Sequence, residues 1–209
     1  MSRLEVAIVD YGVGNLLSLQ RALEHVGFTV RTVESPDELL HFDRAVLPGV
    51  GAFGKAMARL RSVGLDEALK KFAQEQRCLV GICLGMQLLL DESTEFGIHK
   101  GLGIIPGKVR HISELDFSES VKIPHIGWAE VSPRLDNNAT RIFNGTFYFV
   151  HSYFACPNDH EQLTATCSYQ GIKLPAVIKK ESVVATQFHP EKSGVVGLNL
   201  LRILLNTFS

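Results

Sequence analysis

The sequence lacks several features that would place it at once in a large class of proteins. Lys and Arg total 21 and Asp and Glu total 22, so the formal net charge is −1 at pH 7. The large basic excess of proteins that bind nucleic acid mainly by charge is missing. The four cysteines have no CxxC spacing, which argues against a disulfide scaffold and a thiolate zinc site. We therefore expect reduced thiols and no nucleic-acid partner.

Long apolar runs are also scarce. The first apolar run covers only residues 6–9 before Asp10, which is too short for a secretory signal. The longest uncharged apolar stretch, 78–90, contains two glycines and a glutamine. It falls short of the ~20 residues that cross a bilayer. We expect a soluble, cytoplasmic protein with no membrane partner, and the 45% hydrophobic fraction predicts a sizeable core.

The 209 residues predict one α/β domain spanning residues 1–209. Over the first ninety residues, apolar strand-like runs alternate with segments of helical period, which is typical of a parallel sheet covered by helices. The predicted strands are 4–9, 28–33, 44–48 and 78–82, and the predicted helices are 15–26, 55–61, 65–76 and 84–91. From residue 101 onward, short segments broken by Gly, Pro and Asn-Gly predict antiparallel strands, then a hairpin over 176–188 and a helix over 194–208.

Residues 79–87, with the sequence LVGICLGMQ, predict a nucleophile elbow. A buried strand meets a helix there, and Gly81 and Gly85 flank Cys83 at two-residue spacing. Such a turn strains the backbone of its central residue, and small neighbours let the chain close around it. The thiol then lies at a helix N-terminus, where the helix dipole favours thiolate. Cys83 is therefore the candidate nucleophile, and the other three cysteines are expected to be structural.

His189 and Glu191 are the candidate partners of this nucleophile. They follow a buried strand and stand two residues apart, on one side of an extended chain, with Pro190 fixing the backbone between them. A thiolate nucleophile requires a proton carrier and a third group that orients the carrier. We expect Cys83, His189 and Glu191 to form a catalytic triad.

Together these motifs resemble those of class I, triad-type glutamine amidotransferases, in which Gly-x-Cys-x-Gly-x-Gln is followed much later by His-Pro-Glu. Within that class the chain is similar to the glutaminase-subunit family of imidazole glycerol phosphate synthases. The narrower resemblance rests on DYGVGN at 10–15, PGVGAF at 48–53, PHIGW at 124–128, YFVHSY at 148–153 and QFHPEKS at 187–193. It implies a flavodoxin-like, three-layer α/β/α fold with a mainly parallel central sheet and an additional antiparallel or mixed sheet region.

The resemblance also implies an activity. Cys83 would attack the side-chain amide of L-glutamine, His189 would protonate the departing ammonia, Glu191 would orient His189, and water would cleave the thioester without a metal or cofactor. The oxyanion would be held by backbone N–H groups of Val50, Gly51 and Leu84. The positions expected to bind glutamine are Gly49, Gln87, Glu95, Ser152 and Tyr153.

A partner is implied as well. The family pairs this subunit, as a heterodimer, with a (β/α)8-barrel cyclase that takes up the ammonia and forms imidazole glycerol phosphate in histidine biosynthesis. Ammonia released into water at neutral pH would be protonated and lost as a nucleophile. The positions where the family's subunits meet are Tyr11, Gly12, Asn15, Trp128 and Lys192. The chain departs from the family at Ala129, where Asn is usual, so an interface or pocket amide is missing.

Other functions remain open at this point. A related synthase pair that aminates a different sugar substrate would share the motifs, and a non-catalytic or protease-like relative would keep the elbow. The pattern Gly49-x-Gly51-x-x-Gly54, between a strand and a helix, matches the dinucleotide-binding fingerprint. However, this pattern follows the third strand rather than the first, and dinucleotide binding requires neither Cys83 nor the distant His-Pro-Glu.

Overall fold

A computed structural model describes residues 4–116, 121–135, 137 and 139–207. The strands are Glu5–Val9 (β1), Thr29–Val33 (β2), Arg44–Leu47 (β3), Cys78–Ile82 (β4), Glu92–Ser93 (β5), His99–Lys100 (β6), Gly107–His111 (β7), His125–Pro133 (β8), Gly145–His151 (β9), Tyr153–Pro157 (β10), Leu163–Tyr169 (β11), Ile172–Lys180 (β12) and Val183–Thr186 (β13). The helices are Leu16–His25 (α1), Pro36–Leu39 (α2), Phe53–Ser62 (α3), Leu65–Gln74 (α4), Leu84–Leu88 (α5) and Gly194–Thr207 (α6). The predicted end of the last helix, Phe208, lies outside the described residues. Within the described ranges, no helix is both long enough and apolar enough to cross a membrane.

Helix α1 shows how the sequence sets the boundaries of an element. Its N-cap is Asn15, whose side chain accepts a hydrogen bond of 3.4 Å from the Ser18 N–H. Its C-cap is Val26, and Gly27 follows with a φ of 103°, in the left-handed region that glycine adopts readily. The predicted helix over 15–26 is thus confirmed to within its caps. The four-residue helix α2 was not predicted from the sequence.

The larger sheet begins with five parallel strands in the order β2-β1-β3-β4-β13. Numbered among themselves in chain order, these strands run 2-1-3-4-5, which is the flavodoxin-like order. In such sheets, ligands bind outside the carboxyl ends of the strands. The fold class expected from the resemblance is confirmed.

The antiparallel strands continue this sheet. Strands β12, β11, β8 and β9 extend it to nine strands, and the predicted hairpin is the pair β12–β13, in which Ile178 lies opposite Ala185. A separate sheet contains four strands in the order β10-β7-β5-β6. Its pair β5–β7 is parallel and its other two pairs are antiparallel, so this is a mixed sheet of the kind that the resemblance implied. Sequence patterning identifies strands but not their partners.

Helices cover both faces of the parallel strands. Along β1, Val6 and Ile8 belong to one buried cluster and Ala7 and Val9 to another, because alternate side chains of a strand point to opposite faces. Apolar residues of α1 and α6 join the first cluster, and those of α3 and α4 join the second. The arrangement is the expected three-layer α/β/α sandwich.

Three loops meet at the carboxyl ends of β1, β3 and β4. The Tyr11 hydroxyl donates a hydrogen bond of 2.9 Å to the Pro48 carbonyl. A Cβ atom at Gly49 would lie 2.6 Å from Tyr11 Oη and 2.9 Å from Leu84 Cβ, so only glycine fits there. At Gly85, a Cβ atom would lie 1.9 Å from the Leu47 carbonyl oxygen. The loop after β3 is thus packed tightly against the turn that carries Cys83.

Gly85→Ala is expected to lower the free energy of unfolding by at least about 3 kcal/mol, because the clash is with backbone and cannot be relieved by a side-chain rotation. The matched control is Gly27→Ala, where a Cβ atom meets nothing within 4 Å and only the positive φ is unfavourable. That control is expected to cost about 1 kcal/mol. Urea titration of both variants measures the difference, and an equal loss would contradict the close-approach argument.

Candidate active site

Cys83 occupies a strained turn between β4 and α5. Its φ of 55° and ψ of −110° lie outside the regions that non-glycine residues usually adopt. The side chain is 7% exposed and lines a pocket of about 610 Å³. The turn has the elbow geometry that the glycine spacing predicted, with Gly85 packed against the backbone of β3.

The helix behind Cys83 is shorter than predicted. It ends at Leu88 rather than at residue 91, because the N–H groups of Leu89 and Leu90 donate to carbonyls three residues back and the Asp91 N–H donates to the Gly107 carbonyl. Five residues align few peptide dipoles. The contribution of a helix dipole to the thiolate is therefore smaller than the sequence suggested, and other groups around the sulfur carry more weight.

His189 and Glu191 form a buried pair beside the sulfur. His189 Nδ1 lies 2.7 Å from Glu191 Oε1, and the two side chains are 3% and 6% exposed. The backbone N–H of His189 donates to the Tyr148 carbonyl at 3.0 Å, which fixes the segment against β9. Among the residues that the structure describes, none forms a hydrogen bond with the buried His189 Nε2. A carboxylate on one ring nitrogen leaves the other nitrogen available to exchange a proton with a reacting group.

The surroundings of His189 favour its positive form. Burial by itself lowers the pKa of His189, but contact with the Cys83 sulfur and with the Glu191 carboxylate outweighs burial and raises that pKa from 6.5 to about 9. Both partners are negative when ionised, and an opposite charge at short range stabilises the imidazolium. At neutral pH the site therefore holds a proton that it can donate.

The other three cysteines have different environments. Burial raises the pKa of Cys78 and of Cys156 to about 11, and that of Cys167 to about 12. These thiols stay protonated at neutral pH, so they are poor nucleophiles. Across the described residues, no group of three or more His, Cys, Asp or Glu side chains is placed to hold a metal ion.

Most of the predicted substrate and oxyanion positions meet in the pocket of Cys83. The sequence-predicted residues that line it, besides the cysteine and His189, are Val50, Gly51, Leu84, Gln87, Glu95, Ser152 and Tyr153. Gly49 does not line this pocket and is buried behind it, against Tyr11 and Leu84. Its position shapes the loop rather than presenting atoms to a ligand in the pocket.

Glu95 has a contact that the sequence did not indicate. Its Oε2 accepts a hydrogen bond of 2.6 Å from the Phe53 N–H, at the first residue of α3. A dinucleotide would place its pyrophosphate at this helix N-terminus. A carboxylate already occupies the position and would repel phosphate, which argues against the dinucleotide interpretation of Gly49-x-Gly51-x-x-Gly54.

The predicted partner-interface residues are not all on the surface. Gly12, Asn15 and Lys192 are exposed, and Trp128 is 58% exposed with its ring edge-to-face on Tyr148 at 6.0 Å. Tyr11 is only 2% exposed. The expectation that its side chain forms a contact surface is corrected, because the ring is buried and its hydroxyl is bonded to the Pro48 carbonyl.

Ala129, the one departure from the family pattern, faces inward. Strand β8 alternates, so Ala129 and Trp128 point to opposite sides, and Ala129 packs against the same buried cluster as Phe147. An amide at this position would face the apolar side of the sheet rather than the surface that carries Trp128.

Sequence reasoning missed several residues of the site. The pocket is also lined by Phe96, His111, Pro124, Val150 and His151. Gln187 is fully buried, and its Nε2 lies 3.8 Å from Cys83 Sγ. It stands two residues before His189, so the two-residue period used for His189 and Glu191 extends to it. His111 and Phe96 belong to the smaller sheet and its loops, for which the sequence offered no comparable signal.

Comparisons with known proteins agree with this geometry. The family model "Glutamine amidotransferase class-I" matches residues 7–202. "Imidazole glycerol phosphate synthase subunit HisH" of Geobacter sulfurreducens is 44% identical over 202 residues, which is 95% of this chain and 96% of that protein. The chain belongs to the HisH family of class I glutamine amidotransferases.

This amidotransferase has two further relatives of note. "Imidazole glycerol phosphate synthase subunit HisH 1" of Legionella pneumophila is 43% identical over 208 residues, which is 96% of this chain and 98% of that protein. The other is "Imidazole glycerol phosphate synthase hisHF, chloroplastic" of Arabidopsis thaliana. The plant protein is 45% identical over 204 residues, which is 96% of this chain but 34% of the plant protein. Among solved structures, PurLQS from Thermotoga maritima covers 100% of both chains with a TM-score of 0.76 and 20% identity. That likeness concerns the amidotransferase fold alone.

In this amidotransferase, Glu191→Gln is expected to lower the pKa of His189, because the negative charge that favours the imidazolium is removed while burial, which disfavours it, remains. Heteronuclear NMR of the imidazole during a pH titration measures the change. His125 serves as an internal control, because its pKa is set by burial and should stay where it is. An unchanged His189 titration would show that Glu191 does not support the charge.

Proposed function

We propose that this chain is the glutaminase subunit of an imidazole glycerol phosphate synthase and that Cys83, His189 and Glu191 are its catalytic triad. The observation that carries the proposal is that the strained Cys83 elbow and His189 line one pocket, with the Glu191 carboxylate buried 2.7 Å from His189 Nδ1. The 44% identity to the Geobacter HisH subunit supports the assignment of this site to that synthase. We also propose that residues 1–209 form one amidotransferase domain.

The reaction begins with the Cys83 thiolate and the His189 imidazolium, which holds the proton that the thiol has given up. The sulfur attacks the side-chain carbonyl carbon of glutamine, and the carbonyl oxygen becomes an oxyanion. Collapse of this intermediate breaks the carbon–nitrogen bond, and His189 gives its proton to the departing ammonia. Water, deprotonated by His189, then attacks the thioester and releases glutamate, after which the sulfur is free again. Glu191 holds the ring through Nδ1, so Nε2 serves the reacting atoms.

The oxyanion is assigned to backbone N–H groups of Val50, Gly51 and Leu84. Leu84 follows Cys83 directly, and the loop 48–51 packs against it through Gly49. Gly51 has a φ of 93° and Val50 is 40% exposed, so this loop has access to peptide orientations that a helix or strand would forbid. Aligned backbone donors are worth about 10²–10³ in rate each.

The substrate's charged end fits the other half of the pocket. Glu95 is fixed by the Phe53 N–H and supplies a negative charge for the α-ammonium group of glutamine. Gln87, Ser152 and Tyr153 supply polar groups around it. A free amino acid, rather than a phosphorylated ligand, matches this distribution of charge.

We propose a cyclase subunit as the partner, in a heterodimer. A narrow crevice behind the triad is lined by His189, Glu191 and two predicted interface residues, Asn15 and Lys192. Next to this segment, the exposed Trp128 ring lies edge-to-face on the half-buried Tyr148, and aromatic anchors are typical of interfaces. In the plant synthase, about two thirds of the chain lies outside the match, which supports a second functional part in the same assembly.

Cys83→Ala is expected to reduce glutamate release by at least about 10⁴-fold while leaving the circular dichroism spectrum unchanged, because Cys83 is the one thiol among the described residues that line the pocket. Cys156→Ala is the matched control and should retain activity. A glutamine-like chloroketone should label Cys83 alone, as seen by peptide mass mapping. Label on Cys78, Cys156 or Cys167, or undiminished activity of Cys83→Ala, would refute the triad.

Trp128→Ala is expected to weaken binding to the cyclase by about 2 kcal/mol, or about 30-fold in Kd, because an exposed aromatic anchor is lost. Val63→Ala is the control, since Val63 is also exposed but lies at the C-terminal end of α3, away from β8. Isothermal titration of each variant with the cyclase measures the affinity. Equal affinities for wild type and Trp128→Ala would place the interface elsewhere.

A further inference from the structure

Gln187 is a buried side chain that the steps above do not use. It follows β13 directly and is 0% exposed. Its Nε2 lies 3.8 Å from Cys83 Sγ, and its Oε1 accepts a hydrogen bond of 3.1 Å from Gln87 Nε2. The Gln187 amide therefore lies between the Cys83 sulfur and Gln87, and it contacts both.

A backbone carbonyl determines which end of Gln187 faces the sulfur. The Tyr153 carbonyl can only accept, so the Gln87 group that lies 2.9 Å from it is the NH2 group. The same NH2 group lies against Gln187, so Gln187 presents its oxygen to Gln87. The NH2 group of Gln187 is thereby directed at Cys83.

A second hydrogen bond to the Tyr153 carbonyl comes from His151, which is itself hydrogen-bonded to His125. His151 Nδ1 donates to this carbonyl at 2.8 Å, and His151 Nε2 accepts from His125 Nδ1 at 3.1 Å. Burial lowers the pKa of His125 to about 4 and that of His151 to about 3, so both rings are neutral at neutral pH. Each ring then has one N–H group. The donor and acceptor of each hydrogen bond are therefore fixed along the chain that runs from His125 through His151, the Tyr153 carbonyl, Gln87 and Gln187 to the Cys83 sulfur.

The sulfur needs a donor most when it is ionised. As a thiol, Cys83 Sγ donates toward the Val150 carbonyl at 3.9 Å. As a thiolate it only accepts, so the Val150 carbonyl opposes it, while the Gln187 N–H and the His189 imidazolium stabilise it. Gln187 thus favours the form of Cys83 that attacks the substrate.

We propose that Gln187 is a further catalytic residue, whose side-chain N–H stabilises the Cys83 thiolate as it attacks the substrate amide and again when the thioester is cleaved. This inference rests on the proposed role of Cys83 as the nucleophile. Gln187 transfers no proton and forms no covalent bond, so the balance of the reaction is unchanged. Gln87 and the Tyr153 carbonyl act through it by fixing its orientation.

The test is the rate at which iodoacetamide alkylates Cys83 in the full chain at about pH 8, followed by mass spectrometry of the Cys83 peptide. Iodoacetamide needs no glutamine pocket, so the rate reports on the sulfur alone. Gln187→Met keeps a similar length and removes the donor. We expect alkylation to slow about tenfold and the glutaminase kcat to fall by at least as much.

Thr186→Val is the matched control. Thr186 is the neighbouring buried residue, and its hydroxyl donates to the Phe188 carbonyl at 3.0 Å rather than to the sulfur. We expect this variant to be alkylated within about twofold of the wild-type rate. If Gln187→Met does not fold, Gln187→Glu keeps the shape of the side chain and replaces the donor by a carboxylate, and we expect its alkylation to be slower than that of wild type.

Wild-type alkylation in the Gln187 variants, or an equal loss in Thr186→Val, would overturn the proposal and leave Gln187 a packing residue. Such a result would leave the triad intact, because the chloroketone would still label Cys83. Chloroketone labelling of another cysteine in the wild-type chain would instead overturn the proposed function itself. The two failures are therefore distinguishable.

Discussion

The contact between residue 85 and the Leu47 carbonyl is the constraint on which the rest of the site depends. With no room for a Cβ atom, the turn after β4 lies directly on the end of β3. That proximity brings the loop 48–51 beside Cys83 and requires the strained φ of 55° at the cysteine. Strain of this kind persists only where the surrounding packing enforces it. The parallel strands, both helical layers and the glycines around Cys83 together supply that packing.

The site combines a charged half and a neutral half around one sulfur. On one side, His189 holds the proton that is transferred and Glu191 orients its ring, and contact with Cys83 and Glu191 keeps the imidazole positive at neutral pH. On the other side, Gln187, Gln87 and two neutral histidines form directed hydrogen bonds without carrying charge. A second cation near the thiolate would instead lower the pKa of His189 by like-charge repulsion.

Much of this arrangement could be predicted from the sequence, and the reasons are local. The strand-to-helix turn at Cys83 is encoded by Gly81 and Gly85, and the side shared by His189 and Glu191 follows from a two-residue spacing. What the sequence could not provide is pairing between distant segments. The burial of Tyr11 beneath the loop at Pro48, the parallel pair β5–β7 and the early end of α5 each depend on hydrogen bonds to residues far along the chain. Local pattern contains no information on those partners.

The hydrogen bond from the Phe53 N–H to Glu95 has a consequence for affinity. The carboxylate satisfies an otherwise unpaired donor of α3, so it is held in place before any ligand arrives. A side chain that is already immobile loses little conformational entropy when a ligand binds, whereas a mobile one loses about 0.5–1.5 kcal/mol. The N-terminus of α3 therefore reduces the conformational entropy that the Glu95 side chain loses when a ligand binds, although α3 contributes no side chain to the triad.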